Sequence, residues 1–193
     1  MVQQLFIVDV EASGSTPVTG EMTEFAAVHF PTGAWFHGHL WNFTPDPDIP
    51  ALPVLVGDAP APGYTTGPAG TAPGDLEVGP RIDVGQTTEV FEALSVWLSG
   101  HGGPGDRIVF VSDNPAFDFM WMACGFDTAG IANPFGHTGR RIGDLAAGLP
   151  GQWRNTSAWK RHRRTVHDHN PVRDALGNLE GLAAVLEAHG QPY

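Results

Sequence analysis

Hydrophobic positions in the first part of the chain fall into three short runs. LFIVDVEAS (5–13), TEFAAVHF (23–30) and AWFHGHLWNF (34–43) have strand length, and the turn sequence PTG separates the last two. Apolar runs bounded by turn residues are typical of strands. We therefore expect three early strands that form a meander.

A helical pattern follows in residues 87–100. TTEVFEALSVWLSG places apolar side chains at helical spacing, which predicts an amphipathic helix. Thr87 or Thr88 can cap its start, and Gly100 can end it. The apolar run RIVFVS at 107–112 then predicts a further strand.

Two more helices and a short strand are predicted beyond this strand. Pro115 stands near the first position of a helix predicted for residues 113–130, and RRIGDL at 140–145 predicts a last short strand. The final helix has Asn170 as its cap and Pro171 at its first position. Its predicted buried stripe consists of Val172, Ala175, Leu176, Leu179, Leu182, Ala183 and Leu186.

This order of elements predicts an α/β fold. We expect a mixed five-stranded sheet, a three-strand meander plus parallel strands, flanked by helices. The length fits a single domain over residues 1–193. Residues 44–80 hold most of the prolines and many glycines, so we interpret them as an irregular surface insertion. A disordered excursion is the alternative.

Other features bear on the location of the protein. The first residues lack a basic stretch followed by a long apolar run, and no segment approaches the roughly 20 apolar residues of a membrane span. Cys124 is the one cysteine, and we expect it to be a buried bystander. We expect a soluble, cytoplasmic protein without a membrane partner, and we leave a homodimer open.

The charge is unevenly distributed. The chain has a net charge of −11, which argues against nucleic acid as a partner. However, eight of the ten Lys and Arg residues lie in residues 140–193. The densest part of this segment, RNTSAWKRHRRTVH, combines these cations with tryptophans: Arg154, Lys160, Arg161, Arg163 and Arg164 lie near Trp153 and Trp159. The run is either a solvated face or a surface for phosphates and bases.

Four acids stand at the ends of predicted elements. Asp9 and Glu11 are two apart on a strand and share one face. Asp118 and Asp174 fall in the first turns of two helices, where the helix dipole favours carboxylates. If all four converge, repulsion of ~4 kcal/mol per pair at 4 Å and an effective dielectric near 20 requires bound cations. Oxygen ligands suit Mg²⁺ or Mn²⁺.

Three motifs in this chain resemble those of one nuclease family. DVEASG is similar to its first motif (D-x-E, then Gly), NPAFD to its second (N-x-x-F-D) and HNPVRDA to its third (H-x4-D-A), in family order over residues 9–175. The family is that of the DEDDh, or DnaQ-like, 3′–5′ exonucleases, which have an RNase H-like fold. The chain is nearest in style to small bacterial or phage exoribonucleases.

The resemblance implies roles for the acids. Asp9, Glu11 and Asp174 would hold one ion, Asp9 would bridge to a second, and Asp118 would support the second through water. Two Mg²⁺ or Mn²⁺ ions would then act on a phosphodiester at the free 3′ end of single-stranded nucleic acid, RNA or DNA, and release nucleoside monophosphates.

The resemblance also selects the catalytic histidine. The spacing of the third motif makes His169 the general base that takes a proton from the attacking water. His167 is the competing candidate, and we interpret it and Asp168 as surface loop residues. The predicted substrate-binding residues are Ser13, Gly14, Asn114, Lys160, Arg161, Arg163 and Arg164. We expect Phe117 to be a core residue.

Two alternatives from other classes stay open. One is a catalytically inactive member of the family that binds nucleic acid or acts as a scaffold. The other is an interaction protein whose acids are surface charge. The complete set of four acids and a histidine favours the enzyme.

Overall fold

The computed structural model describes residues 2–40, 64–68 and 87–191. The strands in these ranges are β1 Gln3–Ala12, β2 Met22–His29, β3 Trp35–His39, β4 Tyr64–Gly67, β5 Arg107–Ser112 and β6 Gly139–Arg141. The helices are α1 Thr87–Gly100, α2 Pro115–Ala129, α3 Ile142–Gly148 and α4 Pro171–Ala188, with a 3₁₀ helix at Ala158–His162.

The described strands make one mixed sheet in the order β4-β3-β2-β1-β5-β6. β1 to β4 form an antiparallel meander, β5 runs parallel to β1, and β6 runs parallel to β5. The α/β class and the mixed sheet flanked by helices are as predicted, but the sheet has six strands rather than five.

The additional strand, β4, lies within the Pro/Gly-rich segment. Tyr and Thr favour strands, and β4 pairs with the edge of β3 despite the prolines and glycines around it. The surrounding composition concealed this signal. Apart from residues 64–68, the predicted insertion at 44–80 lies outside the described residues.

Two local predictions are wrong. The strand predicted for 140–145 ends at Arg141, and α3 begins at Ile142, whose side chain is buried. Cys124 is exposed, not buried. The buried side of α2 includes Trp121, Met122 and Phe126, and Cys124 falls between them on the outer side.

The other helices follow the sequence pattern closely. α1 spans the predicted residues, and α2 and α4 both begin with a proline. The Asn170 side chain accepts a hydrogen bond from the Arg173 N–H at 3.1 Å, so the predicted cap is confirmed. None of the helices in the described ranges has the length and apolar character needed to cross a membrane.

Side chains of β1 alternate between two cores. Phe6, Val8 and Val10 pack with residues of α1 and α2, whereas Leu5 and Ile7 pack with residues of α4. Asp9 and Glu11 occupy the next two positions on the α4 side because strand side chains alternate. The apolar part of this face therefore leads directly into two carboxylates.

Candidate metal centre

The candidate site lies where β1 separates from β5. The parallel pairing ends at Ile7 and Val111, while the antiparallel pairing of β1 with β2 continues as far as Ala12. Asp9 and Glu11 follow Ile7 on the part of β1 that pairs with β2 but no longer with β5. The separation opens one edge of β1 toward the start of α2.

Asp118 occupies this opening. It lies in the first turn of α2 and is 5% exposed. Burial raises its pKa to about 7, opposed by the Ser112 hydroxyl and the backbone N–H groups of Asn114 and Val10. The carboxyl of Asp118 thus contacts backbone of both β1 and the α2 start.

Asp9 is the point at which the acids converge. Burial raises its pKa well above the ordinary value, and the charges of Asp118, Asp174 and Glu11 raise it further. The guanidinium of Arg163 acts in the opposite direction. Acids from β1, α2 and α4 therefore act on a single carboxyl group.

Asp174 completes the cluster from the first turn of α4. Its side chain is almost fully buried, and Oδ1 accepts the Asp168 N–H at 3.2 Å. Oδ2 lies 2.6 Å from Nδ1 of His167, but it has no partner of hydrogen-bond geometry among the described residues. One oxygen each from Asp9, Glu11 and Asp174 lies within 4.8 Å of the others. This donor set, with a buried carboxylate oxygen left over, fits a hard divalent cation.

His169 and His167 contact different acids of the cluster. His169 is 78% exposed, and its Nδ1 lies 3.5 Å from Oε1 of Glu11. Its backbone has φ 62°, the left-handed region, where His is found more often than most residues but still with strain. His167 contacts Asp174, and the two imidazole rings are 5.1 Å apart.

His167 and Asp168 are exposed loop residues, as predicted, but both contact the acid cluster. The carboxylate of Asp168 also lies 3.0 Å from Arg173 and accepts the Asn170 N–H at 3.3 Å. The HDHN sequence places two imidazoles within three residues of a helix cap. That spacing was the available signal for the contact of His167.

Ser13 and Gly14 belong to the connection between β1 and β2. The Ser13 Oγ accepts the Glu21 N–H at 2.9 Å, and the Ser13 N–H donates to the Glu21 carbonyl at 2.9 Å. A Cβ on Gly14 would lie 2.8 Å from the Cα of Gly20. Both residues therefore hold this connection closed, a role separate from the predicted contact with substrate.

The second motif places its other residues around α2. Asn114 precedes the helix, and its exposed side chain makes no capping hydrogen bond. Phe117 is half-buried and packs against the core on the α1 and α2 side, in keeping with its predicted core role.

The basic run divides into buried and exposed parts. Trp159 is fully buried, and the Arg163 guanidinium, at 11% exposure, lies 4.9 Å from its ring centroid. Arg163 also donates to the Asn178 side chain on α4. Trp159 is therefore a core residue that bases cannot reach, and Arg163 lies beneath the acid cluster.

The remaining cations of the run are nearer to solvent. Lys160 forms an ion pair with Asp113, and Arg164 lies 3.5 Å from Glu180. Arg161 is exposed and donates to His162 at 3.2 Å. The exposed cations of the run are thus Arg154, Lys160, Arg161 and Arg164, and of these Lys160 and Arg164 contact carboxylates.

No known family model matches this sequence, and a search of curated proteins finds no match. The resemblance to the DEDDh exonucleases accordingly depends on the three motifs alone. Their acids, which lie far apart in the sequence, meet at Asp9.

Proposed function

We propose that this chain is a metal-dependent 3′–5′ exonuclease with an RNase H-like fold that releases nucleoside monophosphates from single-stranded nucleic acid. The observation that carries the proposal is the convergence of Glu11, Asp118 and Asp174 on Asp9. Burial raises the pKa values of Asp9, Glu11 and Asp118, and like charges raise them further. Such a cluster is unfavourable by itself and is typical of functional sites.

Mg²⁺ or Mn²⁺ is the cofactor that suits this arrangement. Asp9, Glu11 and Asp174 would hold one ion, because one oxygen of each lies within 4.8 Å of the others. Asp118, whose charge acts on Asp9, would help to support a second ion beside Asp9. Two such ions stabilise the charge on the attacking and leaving oxygens of a phosphodiester.

His169 is suited to move the proton. Its Nδ1 faces Glu11, which favours the tautomer with the proton on that nitrogen. The lone pair of Nε2 is then available to accept the proton of the attacking water. High exposure lets the ring reach a nucleotide at the surface.

The substrate strand would approach over the exposed cations. Arg161 and Arg164 can bind phosphates, and the exposed Trp153 can stack on a base. The contacts of Lys160 and Arg163 with Asp113 indicate that these two residues contribute less to binding. Arg164 also contacts a carboxylate, that of Glu180, but its side chain is 85% exposed. Asn114, Ser13 and Gly14 stay candidates for contact with the terminal nucleotide.

The test is mononucleotide release from oligonucleotides labelled at the 5′ end. We expect stepwise shortening of single-stranded RNA or DNA with Mg²⁺ or Mn²⁺, and none with EDTA. Asp9→Asn should abolish the reaction because it removes the carboxylate on which the other acids converge. Asp127→Asn, the same change at an exposed position of α2, is the matched control and should retain activity.

Two outcomes would contradict the proposal. Activity that persists in Asp9→Asn would show that the acid cluster is not the active site. Binding of oligonucleotide without cleavage, with every divalent ion tried, would favour the inactive nucleic-acid-binding module.

A further inference from the structure

A second group of side chains able to bind metal lies on the same face of the sheet as Asp9 and Glu11. Glu24 on β2 and His37 and His39 on β3 form the imidazole cluster. We propose that the imidazole cluster binds one transition-metal ion, with Zn²⁺ the preferred ion. The inference does not depend on the exonuclease proposal.

Strand register brings the three side chains together. His37 and His39 are two apart on β3 and share a face. Glu24 is the direct cross-strand partner of His39, and such partners have Cβ atoms about 5 Å apart. The arrangement is therefore fixed by hydrogen-bonded backbone and not by a loop.

The ligand atoms are within reach of a single ion. One atom from each residue lies within 4.8 Å of the other two, and His37 Nε2 is 2.8 Å from Glu24 Oε2. Zinc with bonds of ~2.0–2.2 Å separates its tetrahedral ligands by ~3.4 Å. Binding would therefore replace the direct contact between His37 Nε2 and Glu24 Oε2 with bonds from both atoms to the ion.

Burial of His37 supplies an independent indication of a ligand. The residue is 2% exposed, and its Nδ1 has no hydrogen-bond partner within the described ranges. Buried polar atoms without a partner are rare and are commonly satisfied by an ion or a water.

Ligand chemistry separates this site from Asp9, Glu11 and Asp174. It does not separate it from His167, His169 and Asp174, which also offer two imidazoles and one carboxylate. Two imidazoles and one carboxylate suit Zn²⁺, whereas all-oxygen ligands suit Mg²⁺ and Mn²⁺. The two sites are also linked, because Glu24 is the cross-strand partner of Glu11. Burial raises the pKa of Glu11, and repulsion from Glu24 makes a smaller contribution in the same direction. A cation on Glu24 would weaken that repulsion and connect β2 to β3 beside the acids.

The experiment is titration of the metal-free full-length chain with Zn²⁺, in excess Mg²⁺ and in competition with a chromophoric chelator. We expect His39→Gln and Glu24→Gln each to lower Zn²⁺ affinity by roughly tenfold or more. The matched control is the double variant His167→Gln/His169→Gln, which removes two imidazoles beside Asp174 and should leave the affinity unchanged.

His37 is left intact in these variants because its burial makes loss of folding a competing explanation. Circular dichroism should show that the other variants are folded. The proposal is overturned if wild-type protein does not bind Zn²⁺, if both ligand variants bind it as tightly as wild type, or if only the His167/His169 control loses binding.

Discussion

The pKa values of carboxyl groups shift in opposite directions in the two clusters. In the acid centre, formed by Asp9, Glu11, Asp118 and Asp174, burial and like charges raise the pKa of Asp9 well above its ordinary value. In the imidazole cluster, His37 lowers the pKa of Glu24 despite burial. The difference lies in the neighbouring side chains: acids from β1, α2 and α4 surround Asp9, whereas histidines of β3 lie beside Glu24.

This contrast indicates what each cluster needs. The acid centre has Arg163 as the one cation found to lower the pKa of Asp9 among the described residues. Its acids therefore favour external cations or bound protons. The imidazole cluster already holds a donor for its carboxylate, so a metal there would replace a proton and not relieve bare repulsion.

The largest expected effect is on turnover, when the imidazoles beside the acid centre are removed. Unlike the histidines of the imidazole cluster, these two should affect catalysis and not metal binding. His169→Ala should lower turnover by ~10²–10⁴, the range for a positioned general base, while Mg²⁺ binding persists. His167→Ala should cost less than tenfold, about 1.4 kcal/mol of barrier. Single-turnover assays at saturating metal measure both. A larger loss in His167→Ala would assign the proton transfer to the histidine on Asp174.

The next effect is on stability as a function of pH. Asp118 has a folded-state pKa of about 7 against 3.8 for the unfolded chain, so the folded state binds the extra proton between these values. Its contribution is fully present below pH 3.8 and is lost as pH rises to about 7, up to about 4 kcal/mol.

Chemical denaturation of the metal-free chain at several pH values measures this slope, and Asp118→Asn should flatten it. If the dependence of stability on pH is identical in wild type and Asp118→Asn, burial does not raise the pKa of Asp118. Saturating Mg²⁺ should reduce the loss, because it compensates the ionised form.

The smallest effect compares one acid from each cluster at neutral pH without added metal. Asp9→Asn removes a charge from a repelling group and should raise the free energy of unfolding by about 1 kcal/mol. Glu24→Gln replaces the charged acceptor beside a buried imidazole with a neutral one and should lower the free energy of unfolding by about 1 kcal/mol. Thermal and urea denaturation of both variants measure the signs. A change of the same sign in the free energy of unfolding of both variants would contradict the difference between the clusters.

Local patterns predicted much of the secondary structure. Asn170 and Pro171 placed the start of α4, and the alternation in β1 placed Asp9 and Glu11 on one face. The predictions failed where composition or context competed with the pattern. β4 lies among prolines and glycines, and the apolar residues after Arg141 fit a helix as well as a strand.

The sequence predicted the candidate site only in part. The three motifs identified the four acids, but not that His167 contacts Asp174 or that Arg163 lies buried on Trp159. The sequence of the basic run does not show which Arg is buried. Burial of Arg163 depends on the residues of α4 and the 3₁₀ helix that pack around it. The imidazole cluster was missed since Glu24 lies on a different strand from His37.

By itself, the sequence determined the properties that act over a few residues: strand alternation, helix caps, and the order of the acids and histidines along the chain. Tertiary structure alone decided which of these side chains meet. The separation of β1 from β5 admits Asp118 to Asp9, and strand register sets Glu24 beside the histidines of β3. Register and helix docking depend on contacts between distant segments, and short-range patterns do not encode those distances.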